Sequence, residues 1–341
     1  MTLCEGRRPN DEGRGIVSRL RLVTCLVAAA WVVATAGACR RDDAPPADGR
    51  VATWLDISPS IGDPPRDPGD ALALLQAYGS GTLGVRGVSV IFGNVPLERG
   101  LPAAQELLKR LDTGLLRAWR GAAAPDERAA PTEATELLEE ALRKEPLTIV
   151  ATGPLTTIAS ILLRKPAMAS RIERVILVAG SPIDESASGR AAMDARDANV
   201  AADVSSVQAL IESPVAVTLV SPGLATGMSL DSVDLDRLDQ GRGAIKLITP
   251  PARAWLQAIS TNGAAAAFAV PAMLAVDVAA HPGEIRCEAA IASVEPRSSN
   301  GPRLWVTSGP AGRKVTWCHS ADPGAKARIL ADVLRVQPLP H

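Results

Sequence analysis

The chain has 341 residues, a formal net charge of −1, and 47% hydrophobic residues at a mean hydropathy of +0.12, enough to bury a sizeable core. This near-neutral balance excludes the basic excess of a nucleic-acid-binding surface. Aromatic content of 3%, with Tyr78 the single tyrosine, excludes an extended base-stacking platform.

In chain order, residues 1–39 read as a targeting segment. Arg7, Arg8, Arg14, Arg19 and Arg21 form a charged lead, Leu22 to Thr35 an apolar stretch of signal-peptide length, and Ala36-Gly37-Ala38 a small-residue cleavage site followed at once by Cys39. This resembles a bacterial lipoprotein signal, in which Cys39 would carry lipid and anchor the exported chain to a membrane, although Ala36 replaces the usual Leu. An ordinary secretory signal or a short membrane anchor remain the alternatives. Residues 40–49, rich in Asp, Ala and Pro, form a linker, and 50–341 a single domain. Cleavage would remove Cys4 and Cys25. With Cys39 lipidated, Cys287 and Cys318 are left as a pair, either a disulfide or two buried thiols.

Apolar runs at 51–57, 85–92, 147–151, 173–180 and 215–220 predict strands. Helical patterns near 70–79, 101–111, 132–144, 154–164 and 204–213 alternate with them. That alternation predicts an α/β fold with an open, mostly parallel sheet flanked by helices. Residues 112–131 and 181–203 read as irregular connections. Helical segments follow around 251–280, then strands at 285–295, 303–308 and 313–318 as a small C-terminal β-containing extension, and a last helix near 322–335. Trp255 falls in the helical stretch, as a core residue or a nucleobase platform, and His281 in the turn Ala280-His-Pro-Gly283.

Chemistry concentrates where the first strand ends. Asp56-Ile-Ser-Pro-Ser-Ile-Gly-Asp-Pro-Pro-Arg-Asp-Pro-Gly-Asp70 leads from the strand into the first helix, at the end of the sheet where α/β proteins bind ligands. Its carboxylates can converge on a hard cation or serve as Asx turns and a helix cap.

This segment resembles the N-terminal signature Asp-x-Asp-Pro-Gly-x-Asp-Asp-Ala-x-Ala of the inosine-uridine preferring nucleoside hydrolases, with a longer loop. The resemblance continues, in family order, through Val88-Ser-Val-Ile-Phe-Gly-Asn-Val-Pro-Leu-Glu98, Ala151-Thr-Gly-Pro-Leu-Thr-Thr-Ile-Ala159, Ile172-Glu-Arg-Val-Ile-Leu-Val-Ala-Gly180, Arg196-Asp-Ala-Asn-Val-Ala-Ala-Asp203 and Leu274-Ala-Val276. It implies a calcium ion that holds both the attacking water and the ribose hydroxyls, an Asp that takes the water's proton, and a nucleoside or other ribosyl small molecule as ligand.

The resemblance assigns Asp56 an orienting role, Asp70 and the Thr152 carbonyl to the metal, and Asn94, Asp197 and Asn199 to the ribose, Asp197 being one methylene shorter than the family Glu. It also exposes departures. The general-base Asp falls on Ser58, whose hydroxyl cannot accept a proton near neutral pH. The ribose-binding Asp falls on Gly69, and the later acid pair on Pro271-Ala272. Calcium affinity tracks the number of charged ligands, so weak or absent binding is expected unless Asp63 or Asp67 turns inward. Two readings follow: an N-ribohydrolase with an altered site, or a non-catalytic envelope lipoprotein that binds a ribosyl ligand or a protein partner in the inherited pocket. Both leave room for an oligomer.

Overall fold

The computed structural model describes residues 49–62, 64–111, 117–182, 197–260, 266–297 and 301–336. The signal segment, Cys39 and Asp63 lie outside them. No helix among the described residues is long and apolar enough to cross a membrane.

The strands are β1 (Val51–Ile57), β2 (Leu83–Val90), β3 (Ala118–Arg120), β4 (Leu147–Ala151), β5 (Ile172–Val178), β6 (Ser181–Pro182), β7 (Val217–Val220), β8 (Ser229–Leu230), β9 (Phe268–Ala269), β10 (Ile285–Glu295), β11 (Arg303–Thr307) and β12 (Arg313–Ala321). The helices are α1 (Gly69–Gly79), α2 (Leu97–Arg110), α3 (Glu133–Lys144), α4 (Thr156–Arg164), α5 (Ala198–Ala202), α6 (Val204–Glu212), α7 (Ser232–Leu238), α8 (Ile245–Ile259), α9 (Pro271–Ala280) and α10 (Ala325–Arg335).

Ten strands form one sheet in the order β3-β2-β1-β4-β5-β7-β12-β10-β11-β6, and β8 pairs with β9 apart from it. From β3 to β12 every neighbouring pair is parallel; β10 is antiparallel to both β12 and β11. The C-terminal strands therefore extend the central sheet through β7–β12 pairing rather than forming an appendage beside it. Cys287 and Cys318, register partners on β10 and β12, are joined as a disulfide.

Alternation along the central strands explains the two layers. Ala52, Trp54, Ile149, Val175 and Leu177 face one core with α3, α4 and α6. Leu55, Ile57, Val150, Ile176 and Val178 face the other, with α1, α8, α9 and α10. Helix α1 is sunk in that second core, almost all its residues buried. A side chain at Gly79 would strike the Asp332 carbonyl of α10, so glycine permits the close helix contact.

The order β3-β2-β1-β4-β5 places the site. The chain leaves β1 toward β2 on one side and leaves β4 toward β5 on the other, so the connections diverge above the carboxyl ends of β1 and β4. Open α/β sheets bind ligands in such a crevice.

Candidate active site at the carboxyl end of the sheet

Asp56, next to last in β1, is fully buried. Register sets it opposite Ser89 of β2. The Ser89 hydroxyl donates to Asp56 Oδ1 at 2.5 Å and itself accepts from Trp54 Nε1 at 2.8 Å, which orients it. Oδ2 of Asp56 has no hydrogen-bond partner. Burial pushes this carboxyl up to about 7; the Ser89 hydroxyl opposes the shift, the Asp70 charge adds to it, and the nearby Thr157 hydroxyl eases it.

Asp70 lies in the first turn of α1, where the helix dipole favours a negative charge. Its Oδ2 accepts from the Ser58 backbone N–H at 2.7 Å and from Thr152 Oγ1 at 2.8 Å. Burial still raises its pKa against these donors. Thr152 thus touches the site through its hydroxyl as well as its carbonyl, and that carbonyl already accepts from Asn199 Nδ2 at 2.9 Å.

Ser58, also buried, has its hydroxyl 3.5 Å from the Val95 N–H. Asn94 Nδ2 donates to the Asp67 carbonyl at 2.8 Å and to the Ser58 carbonyl at 3.3 Å, tying the acidic loop to the loop after β2. Gly93 makes this possible with a φ of +145°, a conformation in which a side chain would also meet Pro154.

Asp67 turns inward. Gly69 N–H donates to its Oδ1 at 2.8 Å. A Cβ placed on Gly69 would lie 3.0 Å from that oxygen and 3.9 Å from Ala272 Cβ. The Asp67 carboxylate therefore lies against Gly69, one position where the resemblance calls for an acid, and Ala272, the other, packs near Gly69. Burial lifts its pKa to about 6, the Gly69 N–H opposing and the Asp70 charge adding.

Asp197 and Asn199 sit on the next connection. Asp197 is buried and caps α5, accepting from Val200 N–H at 3.1 Å and, through its other oxygen, from Gly180 N–H at 2.8 Å. Burial brings its pKa to about 6 against these backbone donors. Asn199 Nδ2 donates to the Val178 carbonyl at 3.1 Å besides Thr152, so this side chain ties the ends of β4 and β5. Asp203 caps α6.

The Asp70 charge is close enough to raise the pKa of both Asp56 and Asp67, and among the described residues none of the three pairs with a lysine, arginine or histidine. Two inward carboxylates without a basic partner among the described residues, Asp67 and Asp70, with the buried Asp56 behind them, fit a hard divalent cation. Asp67, Asp70 and the Thr152 carbonyl would hold it.

A second cluster does not fit. Asp277, His281 and Asp332 can each present an atom within 4.8 Å of the others. However, Arg328 forks Asp277 at 2.8 and 3.2 Å, Arg335 pairs with Asp332 at 2.7 Å, and His281 Nε2 lies 2.8 Å from Asp332, so the charges are already balanced. This cluster joins the last turn of α9 to α10, whereas Ala272 at the first turn of α9 faces the site. Trp255 packs against the core.

Sequence reasoning missed Ser89 and Thr157. Ser89 reads as an ordinary strand residue, and only the β1–β2 register reveals its partner. The class defined here is an α/β protein with an acid-lined crevice above its sheet. The family profile of inosine-uridine preferring nucleoside hydrolases matches residues 62–333, and the chain belongs to that family.

Among its relatives, Uridine nucleosidase 1 of Arabidopsis thaliana is 24% identical over 207 residues, 52% of this chain and 60% of the relative. Pyrimidine-specific ribonucleoside hydrolase RihA of Escherichia coli O1:K1 is 32% identical over 144 residues, 34% of this chain and 46% of the relative. The chain thus spans about half the length of these curated relatives. The fold is shared with the plant nucleoside hydrolase PpNRh1 (TM-score 0.71, 17% identity, 85% of this chain and 99% of that one). It is shared also with the purine-preferring ribonucleoside hydrolase from Gardnerella vaginalis (TM-score 0.70, 17% identity, 84% and 98%).

Proposed function

We propose that the chain hydrolyses the N-glycosidic bond of a nucleoside or related N-riboside, with Asp67 in place of the base that Ser58 cannot supply. The observation that carries this reading is the group Asp56, Asp67 and Asp70, without a basic partner among the described residues, above β1 and β4. Calcium, when bound, would position and acidify water and hold the sugar hydroxyls. Asp67 is half-buried and reachable, and a pKa of about 6 suits a group that must be ionised yet accept a proton near neutral pH. Asp56 is enclosed and holds the end of β1 with Ser89 rather than meeting substrate. Asn94 and Asn199 border the place for ribose. Pro271 and Ala272 stand where the resemblance puts the leaving-group acid, and neither side chain can protonate the departing base, so turnover is slow and favours bases that leave readily.

The second reading, a ribosyl-binding protein without turnover, draws on the same departures at Ser58, Gly69 and Ala272. One experiment separates the two. In the full-length chain, bound calcium is measured, and base release from inosine and uridine is followed with and without chelator. Chelator-sensitive release supports hydrolysis. No release, with nucleoside still raising the melting temperature, supports the binder. We also propose export and lipid attachment at Cys39, supported by the pattern of residues 7–39. Fatty-acid labelling that is lost in C39S tests it.

A further inference from the structure

The two halves of the Cys287–Cys318 disulfide have different surroundings. Cys287 on β10 is exposed, whereas Cys318 on β12 is fully buried and belongs to the core that holds Ile176, Val220 and Ile285. Cys287 also borders a groove of about 780 Å³, with Pro282, Ile285, Thr316 and Ser320, and that volume admits a tripeptide-sized molecule. The crosslink is therefore approached from the Cys287 side. No residue of the acidic crevice lines the groove.

The strand ladder holds both cysteines without the crosslink. Eight register pairs join β10 to β12, and the cysteine pair is the third from the end at Ile285–Ala321. Register shifts beside it: Arg286 pairs with Ser320 and Cys287 with Cys318, so His319 has no partner on β10 and forms a bulge. On the other side five regular pairs run from Glu288–Trp317 to Ala292–Arg313, and their Ala290, Ala292, Val315 and Trp317 are buried in the core. Cys318 is also tied to the end of β7, its carbonyl accepting from the Ser221 N–H at 3.2 Å. Opening the disulfide disturbs the two pairs outside the bulge and leaves the packed five in place. The fold thus survives reduction at a lower stability.

We propose that this disulfide is a thiol-exchange site, in which Cys287 Sγ is the sulfur that a small thiol or dithiol attacks and Cys318 is the buried partner that leaves and later closes the bond again. Exposed disulfides are the ones open to exchange, because the attacking thiolate must reach a sulfur directly. The thiolate bonds to Cys287 Sγ as the S–S bond breaks, and the electron pair departs on Cys318 Sγ. Burial disfavours a thiolate there, so Cys318 takes up a proton. The product is a mixed disulfide on Cys287. Attack by Cys318 on that sulfur reverses the step and releases the small thiol. With a dithiol, its second thiolate displaces Cys287 instead, which leaves the dithiol oxidised and both cysteines as thiols. The site is separate from the crevice, so it stands whether or not the crevice is catalytic.

The test follows loss of the Cys287–Cys318 crosslink in the oxidised full-length chain under dithiothreitol, by acid quench and peptide mass mapping, at several urea concentrations below the unfolding transition. Attack on the folded chain predicts a rate that stays within about two-fold across the series, and a reduced chain that still unfolds cooperatively. A rate that climbs with urea in step with the unfolded fraction overturns the proposal, as does a reduced chain without a cooperative transition. The direction of attack is read with oxidised glutathione. The adduct on Cys287 in Cys318→Ala should form about ten-fold or more faster than the adduct on Cys318 in Cys287→Ala. Equal or reversed rates overturn the assignment of Cys287 as the attacked sulfur.

Discussion

Asp67 carries the most chemistry that single-residue changes can interrogate. Asp67→Asn keeps the shape and removes the proton acceptor, so base release should fall by about 10²–10⁴-fold while the melting temperature holds. Unchanged release from inosine and uridine would remove Asp67 from the reaction. Gly69→Ala tests the same carboxylate by crowding, since its methyl would sit 3.0 Å from Asp67 Oδ1. Calcium affinity measured by calorimetry should drop in this variant, and an affinity equal to wild type would show that Asp67 is no ligand. At this scale the acidic loop was legible as a binding place from its composition and position after β1. Which of its carboxylates faces inward was not, because ten residues between Ser58 and Gly69 allow many paths, and the Asn94–Asp67 and Gly69–Asp67 bonds select among them.

Among the elements, α4, α6 and the turn before α3 meet at Asp203. This buried carboxylate accepts from Thr156 Oγ1 at 2.6 Å, from Ser206 N–H at 3.1 Å, from the Ser206 hydroxyl, and from Arg128 at 2.7 Å. Asp203→Ala strands these donors and should cost about 3–5 kcal/mol in urea unfolding. A loss below about 1 kcal/mol would mean that water replaces the carboxylate freely. The β10–β12 ladder offers a second check. The Cys287–Cys318 crosslink closes a loop of sequence separation 31, and replacing both cysteines by serine should cost about 2–4 kcal/mol on the same assay. Most elements were readable from their periodicity. Helix α9 was not separable from α8 in the apolar stretch 251–280. The capping of α3 by Thr132, with its reciprocal Thr135 bond, follows from local sequence alone.

For the molecule as a whole, the uncompensated crevice makes stability depend on pH. Asp56, Asp67 and Asp197 have folded-state values near 7, 6 and 6, above the ordinary carboxyl value of 3.8. The folded chain then holds more protons than the unfolded chain between about pH 4 and 7. Their contribution is full below about pH 4 and is lost as pH rises through 6 and 7. Without metal, the melting temperature should therefore gain from these groups on acidification from pH 7.5 to 5. Calcium should raise it more at pH 7.5 than at pH 5, because protons compete for the same oxygens. Asp56→Asn should flatten the metal-free dependence; a slope identical to wild type would place the titration elsewhere. The sequence by itself determined the α/β class, the order of most elements and the segment that forms the crevice, because periodicity and loop composition are local properties. Only the tertiary structure decided that the C-terminal strands complete the central sheet, that Ser89 braces Asp56, and that the Asp67 carboxylate turns in against Gly69. Those facts depend on strand register and on close approach between residues far apart in the chain, where packing chooses among arrangements that local preference leaves equal.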